Sequence, residues 1–101
     1  MQIEILHVPG CPNLSVGRRR LDDALRTLGV AAPVREVEVN SPAEAEAAGM
    51  SGSPTFMVDG TDLFGGAEPS VACRLYREDD GVDGAPSVDA LVEKLAVLSD
   101  G

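Results

Sequence analysis

The sequence has no tryptophan, one tyrosine, two phenylalanines, one histidine and two cysteines in 101 residues. So few aromatics leave no stacking platform for single-stranded nucleic acid. Basic residues are also scarce, 8 against 17 acidic ones, for a net charge of −9. That balance opposes association with phosphate backbones or anionic lipid, so neither nucleic acid nor membrane is expected as a partner. No apolar run approaches the ~20 residues of a membrane span. The apolar opening, Ile3 to Val8, is interrupted by Glu4 and lacks a basic lead, so it does not read as a secretion signal. A cytoplasmic address is expected. Two cysteines are too few for a secreted disulfide scaffold, and a reducing compartment keeps them as thiols.

What is present suits one domain, 1–101, with 44% of positions apolar and a core sufficient without metal or disulfide. Gln2 to Val8 is short and rich in Ile, Leu and Val, as in a strand covered on both faces. Leu14, Leu21, Ala24, Leu25 and Leu28 recur at helical spacing, and Gly29 stands where a left-handed cap belongs. Val37 and Val39 alternate with Glu36 and Glu38 in a second, less buried strand. Ser41, Pro42 and Glu44 make a capping box for an alanine-rich helix running to about Gly49. Thr55 to Val58 is a third strand, and Asp59-Gly60 a hairpin turn.

Thr61 to Pro86 is an inserted segment in which Val71 to Tyr76 is either strand or helical turn. Ser87 caps a last helix with the apolar stripe Val88, Leu91, Val92, Leu95 and Leu98. The order predicts an α/β fold, a small mixed sheet with helices on both faces. Its first two strands are parallel and its later pair antiparallel.

Cys11 falls between the first strand and the first helix. The free amides and dipole of a helix start favour a thiolate there, a nucleophile and soft-metal ligand at cellular pH; the plainer reading is a small turn residue. In Ser53-Pro54-Thr55 the proline precedes a buried strand, where a cis bond can present backbone groups to a ligand, or where proline simply starts the strand. Val71, Cys73 and Leu75 alternate, so a buried, inert Cys73 is at least as well supported as a reactive one.

Taken together, Val8-Pro9-Gly10-Cys11-Pro12 after the first strand and Gly52-Ser53-Pro54-Thr55-Phe56 before the third resemble the thioredoxin fold. The resemblance implies that Cys11 is the attacking thiol, that Pro54 lies beside it in a cis-proline loop, and that Ser53 and Thr55 belong to the substrate-binding loop. Dithiol members carry C-x-x-C; here Cys11-Pro12-Asn13-Leu14 puts leucine in the resolving position. Three options follow: monothiol exchange, Cys73 as the resolving thiol, or an interaction domain without redox chemistry. A Cys11–Cys73 bridge would close a loop worth about 4 kcal/mol to the oxidised form on the chain-entropy model.

The Cys-Arg-Leu-Tyr and Gly-Ala-Pro-Ser stretches also resemble small bacterial thioredoxin-like proteins often labelled alkylmercury lyases. That resemblance implies Cys11 and Cys73 as the sulfurs for Hg(II) or another soft metal, with Leu14 where a lyase keeps its proton-donating acid. No other cofactor is implied, and the expected partner is a low-molecular-weight thiol or a protein thiol or disulfide.

The remaining signals read more plainly. His7 is a core or edge histidine on the face of Ile3 and Ile5 and receives no catalytic role. Arg18, Arg19 and Arg20 read as solvent-facing charge that could guide an anionic thiol such as glutathione. Glu78, Asp79, Asp80 and Asp83 read as a solvated loop, because Gly81 and Ala90 stand where a calcium loop needs ligands. Met50 and Met57 fill core gaps.

Overall fold

The computed structural model of the protein describes residues 1–66, 68–79 and 81–99, the last in its main chain alone. Alternation in β1 (Ile3–His7) sends Ile3 and Ile5 to one side and Leu6 to the other, so both faces of this strand are covered. It pairs in parallel with β2 (Val34–Glu38), whose Arg35, Glu36 and Glu38 are exposed. On its other side it pairs antiparallel with β4 (Thr55–Val58). Asp59 and Gly60 both take positive φ, 50° and 84°, the hairpin turn conformation that favours this pair. They return the chain as β5 (Thr61–Asp62), giving the order β2-β1-β4-β5.

Helices α1 (Leu14–Leu28) and α3 (Val88–Ser99) pack together on one face, around Ile3, Ile5, Leu21, Leu25, Phe56, Leu91 and Leu95. Helix α2 (Pro42–Ala48) lies by the other, whose core is Leu6, Val39, Ala45, Met50 and Met57. The expected α/β class, with its mixed sheet and helices on both faces, is therefore what the chain adopts.

The helix starts follow the local signals. Ser41 Oγ accepts from Glu44 N at 3.1 Å, while the Glu44 carboxylate takes the amide of Asn40 rather than that of the cap residue. Ser87 Oγ accepts from Ala90 N at 3.0 Å, and α1 ends at Gly29 with φ 68°. The apolar stripe of α3 is less complete than its spacing predicts: Leu91 and Leu95 are buried, but Leu98 remains 48% exposed.

The inserted segment departs furthest from expectation. Val71 to Tyr76 is neither one strand nor a helical turn but the parts of two strands, β6 (Ser70–Cys73) and β7 (Tyr76–Glu78). β7 forms an antiparallel ribbon with β8 (Gly81–Asp83). β6 pairs in parallel with β3 (Ser51–Ser53), a short strand without apolar alternation. Of the two readings open for Cys73, the buried one is excluded: Cys73 and Leu75 are exposed, and Arg74 and Tyr76 turn inward instead. The cause is polar. Arg74 is drawn in by Asp62, so the apolar alternation of Val71, Cys73 and Leu75 loses to an ion pair on the opposite face.

Candidate functional site

Cys11 follows β1 by four residues and precedes α1 by three, in a turn closed by its own amide donating to Val8 O at 3.2 Å. It is half-buried and its thiol is free. The first helical amide, Leu14 N, donates to Cys11 O at 3.4 Å, and Gly17 N to Asn13 O. The amides of Leu14 and Gly17 are thus turned to main-chain carbonyls, and among the described residues no amide donates to the sulfur.

The loop that faces this turn is built from Ser53, Pro54 and Thr55, all fully buried, with a cis Ser53-Pro54 bond. Val8 N donates to Ser53 Oγ at 3.1 Å, tying the end of β1 to the loop. Each carbonyl from Gly52 to Pro54 accepts from a donor of the chain itself. Gly52 O takes the Thr55 hydroxyl at 2.6 Å, Ser53 O takes Arg74 N at 3.0 Å, and Pro54 O takes the phenol of Tyr76. Gly52 itself has φ 107° and lies so close to Arg74 that an added Cβ would stand 2.8 Å from the Arg74 Cβ. Only glycine combines that backbone with that approach.

Sequence reasoning passed over the group that holds the inserted segment to this loop. Arg74 Nη1 meets Asp62 Oδ2 at 2.7 Å and Thr55 Oγ1 at 3.3 Å, and its guanidinium carbon lies 4.9 Å from the centre of the Tyr76 ring. The side chains of Arg74 and Asp62 are only 12% and 8% exposed. Burial pushes the Tyr76 phenol well above its usual range, and Asp62 and Cys11 add to the rise while Arg74 opposes it. The one advance signal was an arginine at 74 inside an otherwise apolar stretch, a charge that needs a carboxylate if it turns inward.

Both cysteines lie near main-chain links to Ser53. Cys73 is in register with Ser53, the residue before Pro54, and Cys11 follows the tie between Val8 and Ser53. Gly84, near the end of the inserted segment, packs directly on Asn13, two residues beyond Cys11. Cys11 also stands at one end of a surface groove of about 460 Å³ that runs along α1 past Leu14, Arg18, Arg19, Asp22 and Arg26.

The other candidates resolve individually. His7 is half-buried and its Nδ1 lies 3.2 Å from the Val8 carbonyl. Met50 and Met57 are core residues, as expected. The three arginines differ from one another. Arg18 pairs with Asp22 and Glu36, and Arg19 is exposed. Arg20 is not solvent-facing charge but an anchor, bonding Asp83 and the carbonyls of Ala85 and Pro86. Glu78 accepts from Ser87 N and Oγ, Asp79 is exposed, and the Arg20 hydrogen bond holds the Asp83 carboxyl below its ordinary range. Asp80 lies outside the described residues. Among those described, no three His, Cys, Asp or Glu side chains group as a metal site, and no helix is long and apolar enough to cross a membrane.

Compared with protein-family models, with curated proteins and with solved structures, the chain has no match.

Proposed function

We propose that the protein is a thioredoxin-like thiol–disulfide exchange protein in which Cys11 attacks and Cys73 resolves. The observation that carries this reading is that each free cysteine is connected to Ser53 through the main chain: Cys73 is in register with it, and Cys11 lies three residues beyond Val8, whose amide binds Ser53 Oγ. The mixed sheet with α1 and α3 on one face and α2 on the other supports the same fold assignment.

The Cys11 thiolate attacks one sulfur of a substrate disulfide, forming a mixed disulfide and releasing the first substrate thiolate. The Cys73 thiolate then attacks the Cys11 sulfur and displaces the second. The substrate gains two electrons, the protein loses two as a Cys11–Cys73 disulfide, and the two protons of the protein thiols pass to the released products. A low-molecular-weight thiol in excess reverses both steps and restores the dithiol.

Intact mass of the reduced protein after treatment with a small disulfide tests the sequence of events. The wild-type protein loses two hydrogens, Cys73→Ser accumulates an adduct on Cys11, and Cys11→Ser forms no internal disulfide. A stable adduct on the wild-type protein removes Cys73 from the mechanism. Absence of any Cys11 reaction leaves an interaction domain, and mercury release from an alkylmercury compound, lost in both variants, replaces exchange with C–Hg cleavage.

A further inference from the structure

We propose that two copies of the chain associate through the apolar face at the far end of α1 from Cys11. A two-fold axis relates them and sets Lys94 of each copy against Asp59 of the other. The proposal is independent of the exchange chemistry assigned to Cys11.

Among the described residues five large apolar side chains are exposed, and three of them, Met1, Val97 and Leu98, line one cavity of about 850 Å³. Val30, Val58 and Leu63 extend its wall. Apolar side chains exposed singly need no explanation, whereas a contiguous patch rimmed by polar groups marks an interaction site. The last turn of α3 continues past its buried residues, Leu91 and Leu95, to Val97, which is 72% exposed. Val30 follows the C-terminal cap of α1, so the fifteen residues of that helix, about 22 Å, separate this face from the end that carries Cys11. An occupant here leaves Cys11 open.

The charges on the rim choose the occupant. Lys94, the only lysine of the chain, is exposed and has no ion-pair or hydrogen-bond partner among the described residues. Asp59 is exposed too; its carboxylate accepts the Gln2 amide and pairs with no cation among the described residues. Asp62, the other carboxylate on the wall, is already paired with Arg74. Lys94 and Asp59 thus stand on one face as opposite charges that do not meet within their own chain. An isologous contact presents the same face of both copies to each other, so a two-fold axis midway between these residues brings Lys94 to Asp59 of the other copy twice. The axis then passes through the cavity, which puts apolar wall at the centre and an ion pair on either side, as in an interface with a dry core and a polar rim. The pairs fix register and partner, and apolar burial supplies the affinity. The charge of −9 on each copy repels at long range, so association strengthens as salt screens it.

Sedimentation velocity of the full chain at rising concentration, under reducing conditions that exclude disulfide-linked species, measures the equilibrium. The protein is expected to pass from monomer to dimer, more readily at higher salt. Val97→Asp and Lys94→Glu each weaken the dimer roughly 10-fold or more. Arg19→Glu, the same charge change on an exposed side chain outside this face, has less than about a twofold effect. Asp59→Lys also weakens it, yet an equimolar mixture of Lys94→Glu and Asp59→Lys forms a mixed dimer, in which one rim pair is native and the other has its signs exchanged. Only contact between these two positions across copies predicts that rescue. Because Asp59 has φ 50°, Asp59→Asn is measured beside it as a variant that keeps the turn and loses the charge. Circular dichroism establishes that each variant is folded. The proposal is overturned by a protein that stays monomeric throughout, or by a dimer indifferent to Val97→Asp, Lys94→Glu or Asp59→Asn. It is overturned equally if Arg19→Glu acts as strongly as Lys94→Glu, or if the two folded charge-reversal variants fail to pair on mixing.

Discussion

Replacing Asp62 with alanine should cost far more stability than removing a surface ion pair. The Arg74–Asp62 contact is 2.7 Å long between side chains 12% and 8% exposed, so Asp62→Ala leaves a guanidinium enclosed with only the Thr55 hydroxyl and the Tyr76 ring for partners. Breaking one side of a buried pair costs about 3–5 kcal/mol, against about 0–1 kcal/mol for a solvent-screened one. The Tyr76 ring, as a cation–π partner, returns about 0.5–2 kcal/mol of that. The net loss of about 1–4.5 kcal/mol is a large share of the about 5–15 kcal/mol such a domain has in total, so Asp62→Ala should lower Tm by at least ~4 °C. Urea unfolding followed by circular dichroism measures the change directly. The double variant Asp62→Leu with Arg74→Met removes both charges, and should recover most of the loss because two buried apolar side chains need no compensation. A loss below about 1 kcal/mol for Asp62→Ala, or a double variant no better than the single one, refutes the view that this pair fastens the inserted segment.

Other outcomes follow from the same packing. Tyr76 is the sole tyrosine and tryptophan is absent, so ultraviolet titration reports its phenol alone. The folded protein should show no tyrosinate as pH passes 10, where an unfolded tyrosine ionises. With the folded pKa raised, the unfolded chain holds fewer protons above pH 10, so stability is intact below that pH and falls above it. A midpoint at the ordinary value contradicts the burial. Gly17→Ala should destabilise despite the better helix former, because the added Cβ stands 2.9 Å from the tip of the buried Phe56 ring. Overpacking of about 1–3 kcal/mol exceeds the ~1 kcal/mol gain in propensity, and a raised Tm for this variant shows that Phe56 can yield.

Much of the architecture was legible because its signals are local. Ser41-Pro42 and Ser87 start helices, and Asp59-Gly60 turns a hairpin, wherever they occur. The strand Ser51–Ser53 was not, since Ser-Gly-Ser has no hydrophobic period and acquires its partner only from Ser70 to Cys73. At the candidate site, Cys11 and the Ser53-Pro54 loop stood out by their place between elements. Asp62, Arg74 and Tyr76 did not, because an inward-turned arginine is recognised only by a carboxylate twelve residues away in sequence. The burial of Cys73 stayed open for the same reason: its apolar neighbours alternate as in a half-buried strand, but the ion pair decides which side faces the interior. Arg20 likewise reads as surface charge until the carbonyls of Ala85 and Pro86 come round to meet it.

The borders of the main sheet bear on how the molecule behaves in company. At one limit, β2 displays Arg35, Glu36 and Glu38; at the other, β5 is two residues long. Charge on one flank and brevity on the other deny a stray chain any lengthy greasy template on which to propagate cross-β order. Crowded copies meet mutual repulsion first, so the fold carries its own safeguard against fibrils.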